Sequence, residues 1–147
     1  MAVTDRDRAT IDRWIGAARA GRAPPLVIAG PTMSGKTAAL EYVAEALGDA
    51  AAIVPPSIIM ADRLLMQGVI PLVDDLCEQN GGRWDAITLI GMATVRRMPL
   101  ALGWQGSFGP IPGRYAAEVV ELAHVGDADG RFLTEAAAAE CARGART

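Results

Sequence analysis

At 147 residues, with 51% hydrophobic and 5% aromatic side chains, the chain carries enough aliphatic material for one packed α/β domain and too much for a disordered segment. A formal net charge of −3 excludes a general basic field for capturing nucleic acid, so any DNA contact would have to be local. The opening MAVTDRDRAT is charged where a secretory leader is apolar, and no stretch approaches the ~20 apolar residues of a membrane helix, so the expected setting is the cytoplasm, with no membrane.

Residues 4–20 predict an amphipathic helix, because Ile11, Trp14, Ile15 and Ala18 recur at the i, i+3, i+4, i+7 spacing of one face. Thr4, with Asp7 three residues on, is the expected N-cap, and Gly21 followed by Pro24-Pro25 is the stop. Residues 26–29 are a short unbroken apolar run between proline and glycine, as in a buried strand. From Lys36 a second helical face runs through Leu40, Val43, Ala44 and Leu47 and closes at Gly48. Residues 50–54 predict a second strand, stopped by Pro55-Pro56.

Residues 62–79 predict a mainly helical stretch through Leu65, Val69, Val73 and Leu76, kinked or split at Pro71. After the break at Asn80-Gly81-Gly82, the apolar run 87–90 predicts a central strand, and 103–113 a glycine and proline loop. Residues 118–125 and 131–135 flank the turn-rich 126–130 and suit a strand pair, while 136–139 favour helix. The expected organisation is a single domain over 1–147, with a helix and linker in 1–25 and the core in 26–147.

The segment Gly30-Pro31-Thr32-Met33-Ser34-Gly35-Lys36-Thr37 matches the phosphate-loop pattern at every fixed position, with Ala38 next along the helix. Its setting, apolar strand before and amphipathic helix after, is the one such a loop needs. Successive backbone N–H groups form an anion nest, glycine admits the phosphates closely, and the helix aims its positive end at them. Lys36 is then expected at the β- and γ-phosphates of ATP and Thr37 at Mg²⁺. The fold expected from this motif is α/β, a P-loop NTPase three-layer sandwich with a mostly parallel central sheet, reduced in size.

Turnover also needs an acid for the metal and a polar group for the attacking oxygen. Asp74 and Asp75 follow the apolar run 69–73 and are the candidates, Asp74 as metal ligand; the same residues fit a solvated helix face, and Pro71 argues against a central ladder. Asp85 lies at the wrong end of the 87–90 run for a site at strand carboxyl ends. Thr94, after that run, is a candidate sensor, or a plain strand-end threonine. Arg96-Arg97 would reach a γ-phosphate or a partner subunit, although exposed arginines usually do neither. His124 reads as a packed histidine, and Arg143 and Arg146 are candidates to act in trans in a homo-oligomer. Cys77 and Cys141 are far apart, and no metal-ligand spacing such as a paired CxxC occurs.

With its phosphate loop, then Ile87-Thr88-Leu89-Ile90-Gly91 and Thr94, a glycine loop, Gly109-Pro110 and the strand-like run 117–122, the chain resembles a shortened RecA-like ATPase of the RadA/Sms and hexameric-helicase branch. The stretch 129–133 and Arg143-Gly144 are similar to that family's last hairpin. The resemblance implies ATP and assembly on DNA. The chain departs from the family in lacking its zinc-binding cysteine cluster and in the short interval between Gly48 and Asp74.

Three functions follow from these features: an ATPase, a small P-loop kinase with Arg96-Arg97 and the 103–113 loop as its lid, and a nucleotide-binding module that regulates a partner without turnover. An AAA+ fragment, with Asp74-Asp75 as metal acids and Thr94 as sensor, is a variant of the first, and the chain is expected to leave no room for that family's helical lid.

Overall fold

A computed structural model describes residues 4–31, 34–79, 82–109 and 116–122. Helix α1 spans Asp5–Arg19, and the Thr4 hydroxyl accepts from the Asp7 amide at 3.1 Å, which satisfies one of the orphan donors of its first turn. Its apolar stripe is the one the periodicity indicates: Ile11, Trp14, Ile15 and Ala18 are buried. Trp14 Nε1 donates to the Pro24 carbonyl at 2.6 Å, fixing the linker that leads into strand β1, Leu26–Gly30. Helix α2, Lys36–Leu47, ends at Gly48, whose φ of 61° suits glycine.

Strand β2 is Ala51–Val54, and helix α3, Ile58–Met66, is capped by Ser57 accepting from the Met60 amide at 3.2 Å. Strand β3, Ile70–Leu76, and helix α4, Gly82–Arg96, follow; strands β4, Ala101–Gln105, and β5, Glu118–Glu121, complete the sheet. The sheet order is β2-β3-β4-β1-β5 and every pair within it is parallel. Helices α1 and α2 bury Trp14, Leu40 and Val43 against Leu26 and Ile28 on one face. On the other, α3 and α4 bury Leu65, Leu89 and Ile90 against Val27, Val73 and Leu102. The two faces divide the alternate side chains of β1 between them, as strand geometry requires. Each large aliphatic side chain so buried contributes about 1.5–3 kcal/mol relative to exposure.

Three expectations are corrected. The helical stretch 62–79 divides: α3 stops at Met66, Gly68 with φ of 76° turns the chain, and β3 begins at Ile70. Pro71 is tolerated because it lies near the start of the strand, before the register with β4 begins at Leu72. The run 87–90 is not a strand but the middle of α4, where Ala86, Leu89, Ile90 and Ala93 are buried at helical spacing. The central strand is β4, whose residues 103–105 fall in the stretch expected as a glycine and proline loop. The expected strand pair at 118–125 and 131–135 is described only at β5; the remainder, with His124, Cys141, Arg143 and Arg146, lies outside the described residues.

Candidate functional site

Strand β1, between β4 and β5, delivers the chain to the sheet's carboxyl edge, and α2 carries it away, with Pro31, Ser34 and Gly35 described between them. Gly30 has no room for a side chain. A Cβ there would lie 2.5 Å from Ser34 Oγ and 2.9 Å from the Leu122 carbonyl oxygen. Gly35 takes φ of 97°, a backbone that L side chains rarely adopt. The Ser34 amide donates to the Pro31 carbonyl at 3.2 Å, and Ser34 is buried. Thr32 and Met33 lie outside the described residues.

Lys36 opens α2 and folds back over this turn, its Nζ donating to the Pro31 carbonyl at 2.6 Å and to Ser34 Oγ at 3.4 Å. Partial burial lowers its pKa from the ordinary lysine value, against the opposing pull of Asp74 and then Asp75. Thr37 stands one residue further on. Its Oγ1 donates to Asp74 Oδ2 at 2.9 Å, while Asp74 Oδ1 accepts from the Asp75 amide at 2.8 Å. Both carboxylate oxygens are therefore held. The register of β3 with β4 breaks between Val73 and Leu76, and Asp75 takes φ of 70°. A non-glycine residue in that region is uncommon and clusters at functional sites.

Strand β4 runs between β3 and β1, and its last residue, Gln105, pairs in register with Gly30. The Gly106 amide donates to the Gly30 carbonyl at 2.8 Å, and Ser107 Oγ donates to Glu121 Oε1 on β5 at 3.2 Å. The chain after β4 thus straps across the end of β1. Phe108 is buried edge-on against Trp104, ring centroids 5.2 Å apart, and the Arg83 guanidinium lies 4.8 Å above the Phe108 ring and donates to the Phe108 carbonyl. Gln105 was hidden from sequence reasoning because 103–105 was read as loop; the signal available was the apolar run Leu100-Ala101-Leu102 leading through Gly103 and Trp104 to a polar Gln105.

The structure brings Gly30, Ser34, Lys36, Thr37, Asp74 and Asp75 together. It does not bring Thr94 to them. Thr94 belongs to α4, its hydroxyl donates to the Ile90 carbonyl at 2.7 Å, and α4 is by then returning to the amino ends of the strands. The strand-end placement of Thr94 is thereby corrected, and by position its place is taken by Gln105. Arg96 pairs with Asp62 at 2.8 Å on the α3–α4 surface, and Arg97 follows with φ of 56°, both away from the loop. Asp85 sits in the first turn of α4.

Thr37 and Asp74 offer two hard oxygen donors, the kind Mg²⁺ takes from a protein when phosphate oxygens and water complete its shell. They fit that ion. Among the described residues no group of three histidine, cysteine or acidic side chains could form a site made of protein ligands alone. A cleft of about 910 Å³ lies between α1 and β5, and none of the described residues of the phosphate loop lines it.

No protein-family model matches the sequence, and no curated protein matches it. Solved structures do. The replication initiator DnaA, bound to AMPPCP and single-stranded DNA, is similar at 13% identity and a TM-score of 0.56, covering 82% of this chain and 46% of that one. A DNA replication initiation factor is similar at 15% identity and 0.51, covering 83% and 47%. The RuvB Holliday junction branch migration motor of Thermotoga maritima is similar at 16% identity and 0.52, covering 82% and 45%. The chain spans less than half the length of each of these proteins. Identities this low carry the fold alone: an α/β P-loop NTPase fold, small, with a five-stranded parallel sheet.

Proposed function

We propose that the chain binds ATP with Mg²⁺ at the carboxyl end of β1 and hydrolyses it. The observation that carries this is the 2.9 Å hydrogen bond from Thr37 to Asp74, which joins the phosphate-loop helix to the acid of a strand two places away in the sheet. A glycine turn serving only to join a strand to a helix would not need an acid held there.

The loop's N–H groups and the start of α2 hold the phosphates, and Lys36 leaves the Pro31 carbonyl to contact the β- and γ-oxygens. Thr37 and Asp74 would hold Mg²⁺, which when bound would supply charge neutralisation at the transferring phosphoryl group. As water attacks the γ-phosphorus and the bond to the ADP oxygen breaks, Lys36 offsets the growing negative charge and Asp75 orients the water and receives its proton. Gln105, in register with Gly30, is the polar side chain beside the terminal phosphate.

Within the ATPase class, the resemblance to the RecA-like branch keeps its phosphate loop and the strand at 118–121 but not its sensor strand, since 87–91 and Thr94 lie in α4. The likeness to DnaA and RuvB favours the AAA+ variant instead. The kinase reading has less support, because Arg96 pairs with Asp62 and 103–105 of its expected lid are β4. A homo-oligomer is compatible with this class, and the DnaA likeness makes single-stranded DNA the nucleic acid to try despite the net charge of −3.

The test is ATP binding followed by phosphate release, with and without single-stranded DNA. Binding with Mg²⁺-dependent release is expected; binding without release leaves the regulatory module, and no binding by folded protein sinks the proposal.

A further inference from the structure

Gly103 is the third residue of β4, buried, and opposite Ile28 of β1. Its φ lies outside the positive range that demands glycine, so the backbone would accept any L residue there. A glycine inside a central strand otherwise weakens it, and commonly marks a place where something else comes close. Here the neighbour is identifiable. A Cβ at 103 would lie 2.9 Å from Asp74 Oδ1 and 3.1 Å from Leu40 Cδ1, with Asp74 Cα at 3.7 Å. The space a methyl group would need is occupied by the carboxylate that accepts from Thr37 and from the Asp75 amide.

The geometry points to Gly103 as a positioning residue for Asp74: its missing side chain is the recess in which the carboxylate sits against the first turn of α2. This rests on Asp74 being the metal acid proposed above. Two of the three atoms nearest the absent Cβ belong to Asp74, and of these only the carboxylate oxygen is closer than ordinary contact. The backbone of β3 is fixed by its ladders to β2 and β4. An added methyl is therefore relieved by turning the carboxylate, at the expense of its two hydrogen bonds, more readily than by moving the strand. Gly103 thus acts on the metal through Asp74 and touches neither metal nor nucleotide.

The test titrates Mg²⁺ against binding of AMPPCP in the parent, Gly103→Ala, Asp74→Asn and the double variant, with metal-free binding measured in chelator. Gly103→Ala is expected to raise the Mg²⁺ concentration for half-maximal coupling by about tenfold, the lower end of what disturbing the support of a metal ligand costs. Metal-free affinity should stay close to the parent's. In the Asp74→Asn background the alanine should add nothing further, the signature of two changes acting through one group. A merely structural role would lower the melting temperature and leave the Mg²⁺ midpoint in place. An unchanged midpoint in folded Gly103→Ala, or the same tenfold effect with Asp74 already replaced, overturns the proposal. If Asp74→Asn itself keeps the parent's midpoint, the failure lies with Asp74 as the metal acid, and Gly103 falls with it. Should alanine alone prevent folding, Gly103→Ala with Leu40→Val relieves the leucine contact, keeps the carboxylate contact, and is read in the same way.

Discussion

The two ends of the parallel sheet are built from the same materials and differ in how their polar groups are held. Towards the amino ends, the Thr94 hydroxyl donates within its own helix, and the pair between α4 and α3, Arg96 with Asp62, joins two exposed side chains that solvent screens. At the carboxyl ends, polar groups are bonded between elements: Lys36 to the Pro31 turn, Thr37 to Asp74, Gly106 to Gly30, Ser107 to Glu121. The unusual backbone of Asp75 is there as well. Local bonds stabilise a helix and go no further; bonds between elements fix side chains relative to one another, which is what a reacting group requires.

If that contrast is functional, Lys36→Ala gives the largest effect. Turnover should fall about 10²–10³-fold, the usual cost of removing a charged or hydrogen-bonding group from a phosphoryl-transfer site. The unliganded protein should keep its stability within about 1 kcal/mol, since alanine is the best helix former and the lysine is only half-buried. Phosphate release and a denaturant titration measure the two quantities. Parent-like turnover would remove the phosphate loop from the chemistry.

Asp74→Asn keeps the shape and removes the charge; its amide oxygen can still accept from the Asp75 amide, while its NH₂ group donates to the Thr37 hydroxyl in place of accepting from it. The Mg²⁺ requirement for ATP binding is expected to rise about 100-fold, near 2.7 kcal/mol, with the melting temperature little changed. Parent-like Mg²⁺ dependence would return Asp74 to a purely structural part.

Next in size is ligand stabilisation. ATP with Mg²⁺ at about 100 times its dissociation constant should add about 2.7 kcal/mol to unfolding by mass action. A folded protein whose melting temperature ignores millimolar MgATP has no such site.

A smaller effect concerns pH. Burial lowers the pKa of Lys36 in the folded state, so between that value and the ordinary lysine value the unfolded chain binds more protons. Unliganded stability gains from Lys36 as pH rises through that window, and Lys36→Met should remove this increment. Triphosphate favours the charged amine, so binding takes up protons there and affinity falls as pH rises. An affinity that instead climbs across the window would place the amine away from the phosphates.

The smallest effect belongs to the amino ends. Thr94→Val should leave ATP affinity and turnover unchanged, with stability within about 1 kcal/mol, because the hydroxyl it removes bonds only to its own helix. A loss of ATP affinity there would erase the contrast between the ends.

The carboxyl-end motif was legible because glycine and lysine at fixed spacing carry their own geometry, and the Thr4 cap and the stripe of α1 were legible because helical periodicity survives burial of one face. The second half was not, for a physical reason visible in β4. Residues 101–105 hold no β-branched side chain, and Gly103, which leaves room for Asp74, made 103–105 read as loop. The vacancy in strand assignment was filled by 87–90, an apolar run that suits strand or helix until its neighbours are known. Asp74 was located and its strand was not, since Pro71 and a helical spacing of Leu65, Val69, Val73 and Leu76 concealed it.

The order of the strands also sets when the site can exist during synthesis. Strand β2 can pair with β3 as soon as both emerge, but the partners of β1 are β4 and β5, the last two strands of the sheet to be made. Until residues 101–105 leave the ribosome, the strand that presents the loop has no ladder on either side, and until 118–121 follow it has one only on the β4 side. Parallel pairings this distant in sequence form slowly and leave apolar edges exposed meanwhile. Nascent chains released before β5 should therefore neither retain ATP nor resist proteolysis, although every residue of the phosphate loop is already present.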